Sequence, residues 1–255
     1  MIKFDALIIR EKKLGDNKLI IVLTKEYGVI SVFCHGGFSP NNKNTGATQL
    51  FSYSELCVDV KTAPNGEKRY FLNSSTSKTI FYNIRLDIVY SSLAGYIAEL
   101  IDYCGIADNN YGEVMRLTLN TYYSLNSNRQ PPDLLKSIFE IRLLCEIGYR
   151  PDLIGCNNCY KYEDDKGMHF NIHTGKVLCS DCITQNEIDN GFDFTFDKQL
   201  FYVFRYIALT DYDKLFNFKI SEKLQNRLTA FSENFVNYHL KSRFVARDFY
   251  KMIKG

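Results

Sequence analysis

The sequence contains no tryptophan, only 5 prolines and no apolar run that approaches the length of a membrane span. Charge appears within the first few positions, so the pattern of a secretory signal peptide is absent as well. We therefore expect a protein of the cytoplasm. With 255 residues, of which 45% are hydrophobic, the chain is long enough for two domains with cores of their own.

The sequence also lacks the common catalytic and nucleotide-binding motifs. It has no Gly-x₄-Gly-Lys-Ser/Thr loop, no Gly-x-Gly-x-x-Gly, no Gly-x-Ser-x-Gly and no His-Glu-x-x-His. Four aspartates show no spacing that would suit a pair of catalytic carboxylates, and we expect them at caps, turns or the surface: Asp16, Asp59, Asp87 and Asp102. These absences predict a protein that is not an enzyme.

Four cysteines form the most informative motif. They occur as two Cys-x₂-Cys pairs, Cys156 with Cys159 and Cys179 with Cys182, separated by 19 residues. Zn²⁺ prefers four soft ligands at the corners of a tetrahedron, and each pair brings two sulfurs to one side of the ion. The spacing predicts a zinc ribbon with one structural ion, since four thiolates leave no open coordination position. The alternative is four buried or disulfide-bonded cysteines.

The other cysteines are scattered singly among apolar neighbours, at positions 34, 57, 104 and 145. We expect free, mostly buried thiols, as is usual in a reducing cytoplasm. A zinc deaminase also uses a Cys-x₂-Cys pair, within the pattern Pro-Cys-x₂-Cys, but it needs a His-x-Glu or Cys-x-Glu segment upstream. Neither occurs.

Charge is segregated along the chain although the net charge is only +2. Residues 1–80 carry 11 basic and 7 acidic side chains, and residues 191–255 carry the same numbers. Residues 151–190, which contain the cysteine pairs, carry 3 basic and 7 acidic side chains. Basic ends favour a polyanionic partner, whereas the acidic cysteine region is unsuited to gripping phosphate.

The hydrophobic pattern predicts an α+β fold. Five short segments rich in β-branched and aromatic residues, separated by turn residues, predict a five-stranded OB-fold barrel over residues 1–80. Beyond residue 80 the period becomes helical, with helices expected over 82–103, 111–125, from 132 onward, and over 196–209, 220–238 and 242–253. We expect a helical domain in two parts, residues 81–152 and 191–255, with the zinc ribbon inserted at 153–190.

Candidate DNA-binding residues follow from this arrangement. Lysines near the first hairpin and in the following loop would border the groove of an OB barrel: Lys12, Lys13, Lys18, Lys25 and Lys43. Cations of the C-terminal helix would face outward while Phe244, Phe249 and Ile253 pack on the body: Lys241, Arg243 and Arg247. Four barrel aromatics could stack on bases: Phe33, Phe38, Phe51 and Tyr53. The alternative is solvated lysines and core aromatics.

Four segments, in order along the chain, resemble the RecO family of bacterial recombination mediators. They are the opening strands with Leu14-Gly15-Asp16-Asn17, the segment Leu50-Phe51-Ser52, the junction Gly148-Tyr149-Arg150-Pro151 before Cys156, and the closing Lys241-Ser242-Arg243. The junction is the most specific match. One segment departs from the family, because Cys34-His35-Gly36-Gly37-Phe38 stands where a basic Lys-Gly-x-Arg run is usual.

The resemblance implies a DNA repair protein with a structural Zn²⁺ ion that binds single- and double-stranded DNA and anneals complementary strands. It also implies contacts with RecR and with the acidic tail of single-strand binding protein, leading to loading of RecA, in a nucleoid-associated location. We expect the tail to dock in an apolar pocket flanked by a cation, and Arg142 to form a buried ion pair. Two alternatives remain: a zinc-ribbon transcription or replication accessory factor whose ribbon contacts DNA, and a metal-dependent nucleotide enzyme.

Overall fold

We analysed a computed structural model that describes residues 1–39, 42–105, 111–192 and 194–254. The predicted mobile loop Ser39 to Thr48 lies partly outside the described residues. The chain forms two compact units, one of Met1–Asn128 with Phe244–Gly255 and one of Arg129–Arg243. The first unit contains a barrel and helices, so the units do not follow the change of secondary structure near residue 80.

The strands and helices occupy the following ranges. The strands are β1 (Ile2–Leu14), β2 (Asn17–Thr24), β3 (Gly28–Cys34), β4 (Ser52–Thr62), β5 (Lys68–Ile80), β6 (Met168–Asn171), β7 (Lys176–Cys179) and β8 (Phe194–Phe196). The helices are α1 (Tyr82–Leu86), α2 (Ile88–Cys104), α3 (Gly112–Asn126), α4 (Pro132–Leu144), α5 (Gln185–Asp189), α6 (Lys198–Leu209), α7 (Tyr212–Leu215), α8 (Glu222–Leu240) and α9 (Val245–Lys254).

The first five strands close into a barrel in the order β1-β2-β3-β5-β4. Neighbouring strands are antiparallel except β3 and β5, which pair in parallel and close the barrel. Alternate residues of each strand point inward and form one core that includes Ile8, Ile20, Val32 and Leu56. The predicted five-stranded OB-fold barrel is confirmed.

The helices of the first unit pack on the barrel and on each other. The helix predicted over 82–103 is interrupted at Asp87, whose carboxylate accepts hydrogen bonds from the backbone N–H groups of Val89 and Tyr90 and so starts α2. The carboxylate of Glu99 accepts two more, from the first backbone N–H groups of α9, Val245 and Ala246. The last helix is therefore anchored on α2.

The orientation predicted for the C-terminal helix is partly wrong. Phe244 is buried, but Phe249 is 44% exposed and Arg247 is buried. The Arg247 guanidinium lies 5.8 Å from the centre of the Phe244 ring. The aliphatic part of an arginine can cover apolar surface, which is how this cation comes to lie on the packed face.

The second unit is built around α4 and an aromatic core. Every side chain of α4 after Pro132 is buried, and the helix ends in a wide turn over Cys145–Tyr149 that contains Gly148 with a φ of 107°. Phenylalanines of the sheet order β7-β6-β8 meet those of α6 and α8, with Phe196 lying 5.3 Å from Phe204 and 4.8 Å from Phe231 between ring centres. This core joins the cysteine-bearing hairpin to the helices.

The single cysteines are confirmed as free thiols. Cys34, Cys57 and Cys145 are buried and Cys104 is half-buried. Burial raises the pKa of Cys34 to about 12 and that of Cys104 to about 11, which makes both unreactive. Within the described ranges, no helix is both long and apolar enough to cross a membrane.

Candidate metal centre and nucleic-acid interface

The two Cys-x₂-Cys pairs come together in the second unit. The sulfur atoms of Cys156, Cys159, Cys179 and Cys182 all lie within 4.8 Å of one another, and those of Cys159 and Cys179 are 3.6 Å apart. A disulfide would need about 2.05 Å, whereas sulfurs at 2.3 Å from a tetrahedral ion would be roughly 3.8 Å apart. The cluster therefore fits a metal ion.

Local hydrogen bonds fix the two pairs relative to each other. Cys179 ends β7, and Asn157 of the first pair both donates to the Val177 carbonyl at 2.8 Å and accepts from the Val177 N–H at 2.6 Å. The buried carboxylate of Asp164 accepts from the Ser180 N–H at 2.9 Å. The cluster geometry is thus held by the polypeptide itself.

The environment of Cys156 favours the thiolate that binds metal. Burial raises the pKa of its thiol, but N–H donors of Cys159, Cys179 and Asn158 outweigh that effect and lower the pKa to about 7.

The acidic side chains of this region are paired with lysines. Lys161 lies 3.3 Å from Asp164 and 3.0 Å from Asp181, and Lys198 lies 2.8 Å from Glu163. A surface that already pairs its lysines internally offers little attraction for phosphate. This arrangement counts against the alternative in which the ribbon itself grips DNA.

Two buried arginines connect the cysteine region and α4 with α6. Arg205 donates to the carbonyl oxygens of Leu153 at 2.7 Å and Tyr162 at 2.5 Å, and its guanidinium stacks 3.8 Å from the Tyr162 ring centre. Arg142 pairs with Glu146 at 2.8 Å and donates to the carbonyl of Ala208 at the end of α6. The predicted buried ion pair of Arg142 is confirmed.

A second candidate site lies on the outer face of the barrel. Strand register places Lys12 of β1, Leu19 of β2, Phe33 of β3 and Phe71 of β5 in one row across four neighbouring strands. Neighbouring strands lie about 4.8 Å apart, so this row crosses the barrel in a continuous line. Asp59 of β4 ends the row and lies 3.9 Å from the N-terminal amino group.

Aromatic rings and cations extend this row. His35 lies 4.8 Å from Phe33 and 6.4 Å from Phe71, and Phe33 lies 6.0 Å from Phe71, all between ring centres. The Lys61 ammonium lies 5.0 Å from the centre of the Phe71 ring. Arg69 of β5 lies opposite Lys61 of β4 in the strand register. We call this surface the barrel strip: Lys12, His35, Phe33, Phe71, Lys61 and Arg69.

Four of the five barrel lysines that were predicted to bind DNA are exposed, and they lie at three different places on the barrel. Lys12 belongs to the barrel strip, and exposed Lys13 lies beside it on the hairpin, 5.7 Å from the Phe38 ring centre. Lys43 is exposed next to Asn42, whose amide donates to the carbonyl of His35 at 3.1 Å. Lys25 is exposed in the turn after β2, at the far end of the strand from the hairpin.

The prediction that Lys18 borders the DNA groove is wrong, because this lysine is buried. Its side chain is only 3% exposed, and its ammonium bonds Glu11 at 2.8 Å and the Thr48 carbonyl at 2.8 Å. It therefore holds the loop on the barrel instead of contacting phosphate. Arg247 is likewise buried, whereas Lys241 and Arg243 are exposed.

The segment Cys34-His35-Gly36-Gly37-Phe38 includes a tight turn that requires its glycines. A Cβ on Gly37 would lie 2.5 Å from the Cβ of Lys18, a contact that side chains do not make. Gly36 has a φ of 56° and donates to the Asn17 side chain at 3.0 Å. His35 and Phe38 on either side of the two glycines are exposed.

The four barrel aromatics that were predicted to stack on bases differ in their exposure. Phe33 is half-buried and Phe38 is 42% exposed, but Phe51 is buried. Tyr53 is half-buried and donates to Asp5 at 3.0 Å. Phe71, Lys61 and Arg69 were missed, although the alternation in β5 could have indicated an outward Phe71.

The second unit also has an apolar groove of about 720 Å³ between α6 and the start of α8. Its lining combines apolar and aromatic side chains, two lysines, one carboxylate that is paired with Lys198, and two uncharged polar residues: Tyr202, Val203, Tyr206, Phe218, Ile220, Leu224, Lys198, Lys219, Glu163, Gln199 and Ser221. The first backbone N–H groups of α8 lie at its Ser221 end. A groove of this kind suits a short apolar peptide that carries negative charge.

Family models match the chain over most of its length. Residues 1–75 match the model described as Recombination protein O N terminal, and residues 85–248 match Recombination protein O C terminal.

Relatives named DNA repair protein RecO agree with this match. The protein from Acetivibrio thermocellus is 26% identical over 253 residues, covering 99% of this chain and 97% of its own. That from Desulforamulus reducens is 25% identical, covering 97% and 93%, and that from Dehalococcoides mccartyi (strain 195) is 27% identical, covering 89% and 85%.

Proposed function

The chain belongs to the RecO family of DNA repair proteins, and from this we propose that it is a recombination mediator of the bacterial cytoplasm and nucleoid. It binds DNA, anneals complementary strands and, with RecR, helps to load RecA onto DNA coated by single-strand binding protein. It acts by binding and catalyses no bond breakage. The observation that carries the proposal is the barrel strip.

Binding at the barrel strip is electrostatic at its edges. Lys12 and neighbouring Lys13 lie at one end, and Lys61 and Arg69 lie at the other. Such cations displace counterions from the phosphate backbone and supply affinity that does not depend on sequence. Two strands held near one basic surface repel each other less, which accelerates their pairing.

We propose that the cysteine cluster holds one Zn²⁺ ion. Cys156, Cys159, Cys179 and Cys182 would occupy all four coordination positions, so the ion would stabilise the ribbon and take no part in chemistry. The support is the sulfur spacing and the soft donor set.

The double variant Lys12→Glu/Lys13→Glu is expected to weaken DNA binding roughly 10- to 100-fold at low salt, because two cations become anions beside the phosphates. The slope of log affinity against log salt for single strands should fall by roughly 1.4, since two phosphate contacts are lost. Fluorescence anisotropy of a labelled oligonucleotide over a salt titration measures both.

Lys176→Glu is the control, because Lys176 is an exposed lysine of β7 in the second unit and lies outside the residues predicted to bind DNA. It should bind DNA within a factor of about two of the parent. If the double variant binds as the parent does, the barrel strip is not the DNA-binding site. If the parent shows no DNA binding at low salt, the proposed function is wrong.

We propose that the groove between α6 and α8 takes the acidic tail of single-strand binding protein. Its aromatic floor would bury the apolar end of the tail, while Lys219 and the α8 N-terminus would meet the carboxylates. The support is the combination of apolar lining and cation in one groove.

Lys219→Glu should weaken binding of a fluorescent peptide carrying this tail roughly fivefold, and Tyr202→Ala should weaken it by a similar factor. Lys176→Glu, on an exposed lysine of β7, is the control and should leave peptide binding unchanged. Peptide binding that neither groove variant weakens would place the tail elsewhere.

A further inference from the structure

The aromatic rings of the barrel strip differ from its cations in what they can recognise. Cations attract the phosphates of any nucleic acid, single or double. An aromatic ring on a protein surface contributes by stacking against a base, and it can do so only where the base is unpaired and accessible. The rings therefore bear on strand type, which the charge pattern leaves open.

The position of the rings requires an explanation, because they are not part of the barrel core. On β3 the inward residues are Ile30, Val32 and Cys34, and on β5 they are Tyr70 and Leu72. Phe33 and Phe71 alternate with these and lie on the outer face, where both remain half exposed. The contact between Phe33 and Phe71 is one cross-strand pair, which is enough to support the pairing of β3 with β5. That pairing does not require the exposed ring of His35 beside the two phenylalanines.

The three rings form one surface with cations around it. Phe33, His35 and Phe71 approach each other within 4.8 to 6.4 Å. Lys61 lies over Phe71, and Lys12 lies in the same cross-strand row two strands from Phe33. Asp59 is the acidic neighbour of Phe71 and lies near the N-terminal amino group. Because its negative charge repels phosphate, Asp59 marks the boundary of the proposed DNA-binding surface on this side.

We propose that Phe33, Phe71 and His35 form a base-stacking platform that makes the barrel strip a site for single-stranded DNA with unpaired bases. This rests on the proposed function of DNA binding and deepens it by naming the residues that would contact the bases and distinguish single strands from duplexes. Bases stack on the rings, phosphates lie toward Lys12 on one side and Lys61 and Arg69 on the other, and duplex DNA contacts the cations alone. A strand held in this way exposes its remaining bases for pairing.

The first test uses the unmodified protein and two probes of equal length, about 20 nucleotides, which exceeds the site size of one OB-fold. One is oligo(dT) and the other is an abasic oligonucleotide with the same phosphates. The platform predicts that the abasic probe binds roughly tenfold or more weakly, with an unchanged salt slope, because only base contacts are lost. Equal affinity for both probes would overturn the platform.

The second test uses Phe33→Leu/Phe71→Leu, which keeps apolar volume on the strands and removes both phenyl faces. We expect affinity for oligo(dT) to fall roughly 10- to 100-fold, with no change for the abasic probe or for a duplex. Tyr82→Leu, on an exposed aromatic of α1, is the control and should bind as the parent does. Thermal melting verifies that the double variant is folded.

The outcomes separate this proposal from the proposed function. If the parent protein binds oligo(dT) and the abasic probe equally, with steep salt dependence, DNA binding stands and the platform fails. If the parent binds neither probe at low salt, both fail. Equal losses for the duplex and for oligo(dT) in the folded leucine variant would also overturn the platform, because the two rings would then contribute equally to paired and unpaired DNA.

Discussion

Cys156→Ser is expected to lose the bound metal and to unfold the cysteine region of the second unit. Cys156 is fully buried, and its sulfur lies within 4.8 Å of three others. Three thiolates bind zinc far more weakly than four, and metal binding contributes about 10–16 kcal/mol to the folding of zinc-finger peptides. We expect a stability loss of several kcal/mol in this unit. Elemental analysis and thermal melting measure the two effects.

The matched control is Cys104→Ala, on a half-buried cysteine of the first unit. It should retain a full complement of metal and a melting temperature within a few degrees of the parent. If Cys156→Ser kept both its metal and its melting temperature, the four-cysteine site would be wrong.

Lys136→Ala is expected to destabilise the second unit by about 3–5 kcal/mol, because it leaves buried carboxylates without their cation. The Lys136 ammonium lies 3.1 Å from Glu140 and 2.8 Å from Glu233, with the side chains of Lys136 and Glu140 at most 1% exposed. Ser232 also donates to Glu140 at 2.6 Å, which fixes the carboxylate between α4 and α8. Urea unfolding of the variant measures the loss.

A double variant separates the missing cation from the missing volume. Lys136→Met/Glu140→Leu removes both buried charges and keeps apolar volume, so it should recover much of the stability that Lys136→Ala loses. Lys176→Ala, on an exposed lysine of the same unit, should change stability by less than about 0.5 kcal/mol. If Lys136→Ala unfolded at the same urea concentration as the parent, this ion cluster would not stabilise the fold.

Local sequence patterns were sufficient for the barrel and for the cysteine cluster. The barrel strands alternate in hydrophobicity over 7 to 13 residues and are separated by turn residues, so each could be recognised alone. The cysteine spacing alone is enough to predict the cluster, because each Cys-x₂-Cys turn places two sulfurs together. In both cases the information is short-range.

The features that the sequence did not reveal depend on long-range pairing. The barrel strip exists because β3 pairs in parallel with β5, which places Phe71 beside Phe33 from a position 38 residues away. Likewise, β8 has only 3 residues and is a strand because it pairs with β6. The burial of Lys18 and Arg247 depends on partners that local charge patterns do not indicate.

The measurement that tests the central claim most directly is annealing of two complementary oligonucleotides, each first coated with single-strand binding protein, over a salt titration. A mediator that works through the barrel strip should accelerate annealing at low salt and lose that effect as salt rises, and Lys12→Glu/Lys13→Glu should anneal slowly at every salt concentration. Annealing no faster than in the absence of the protein, together with no DNA binding at low salt, would contradict the account.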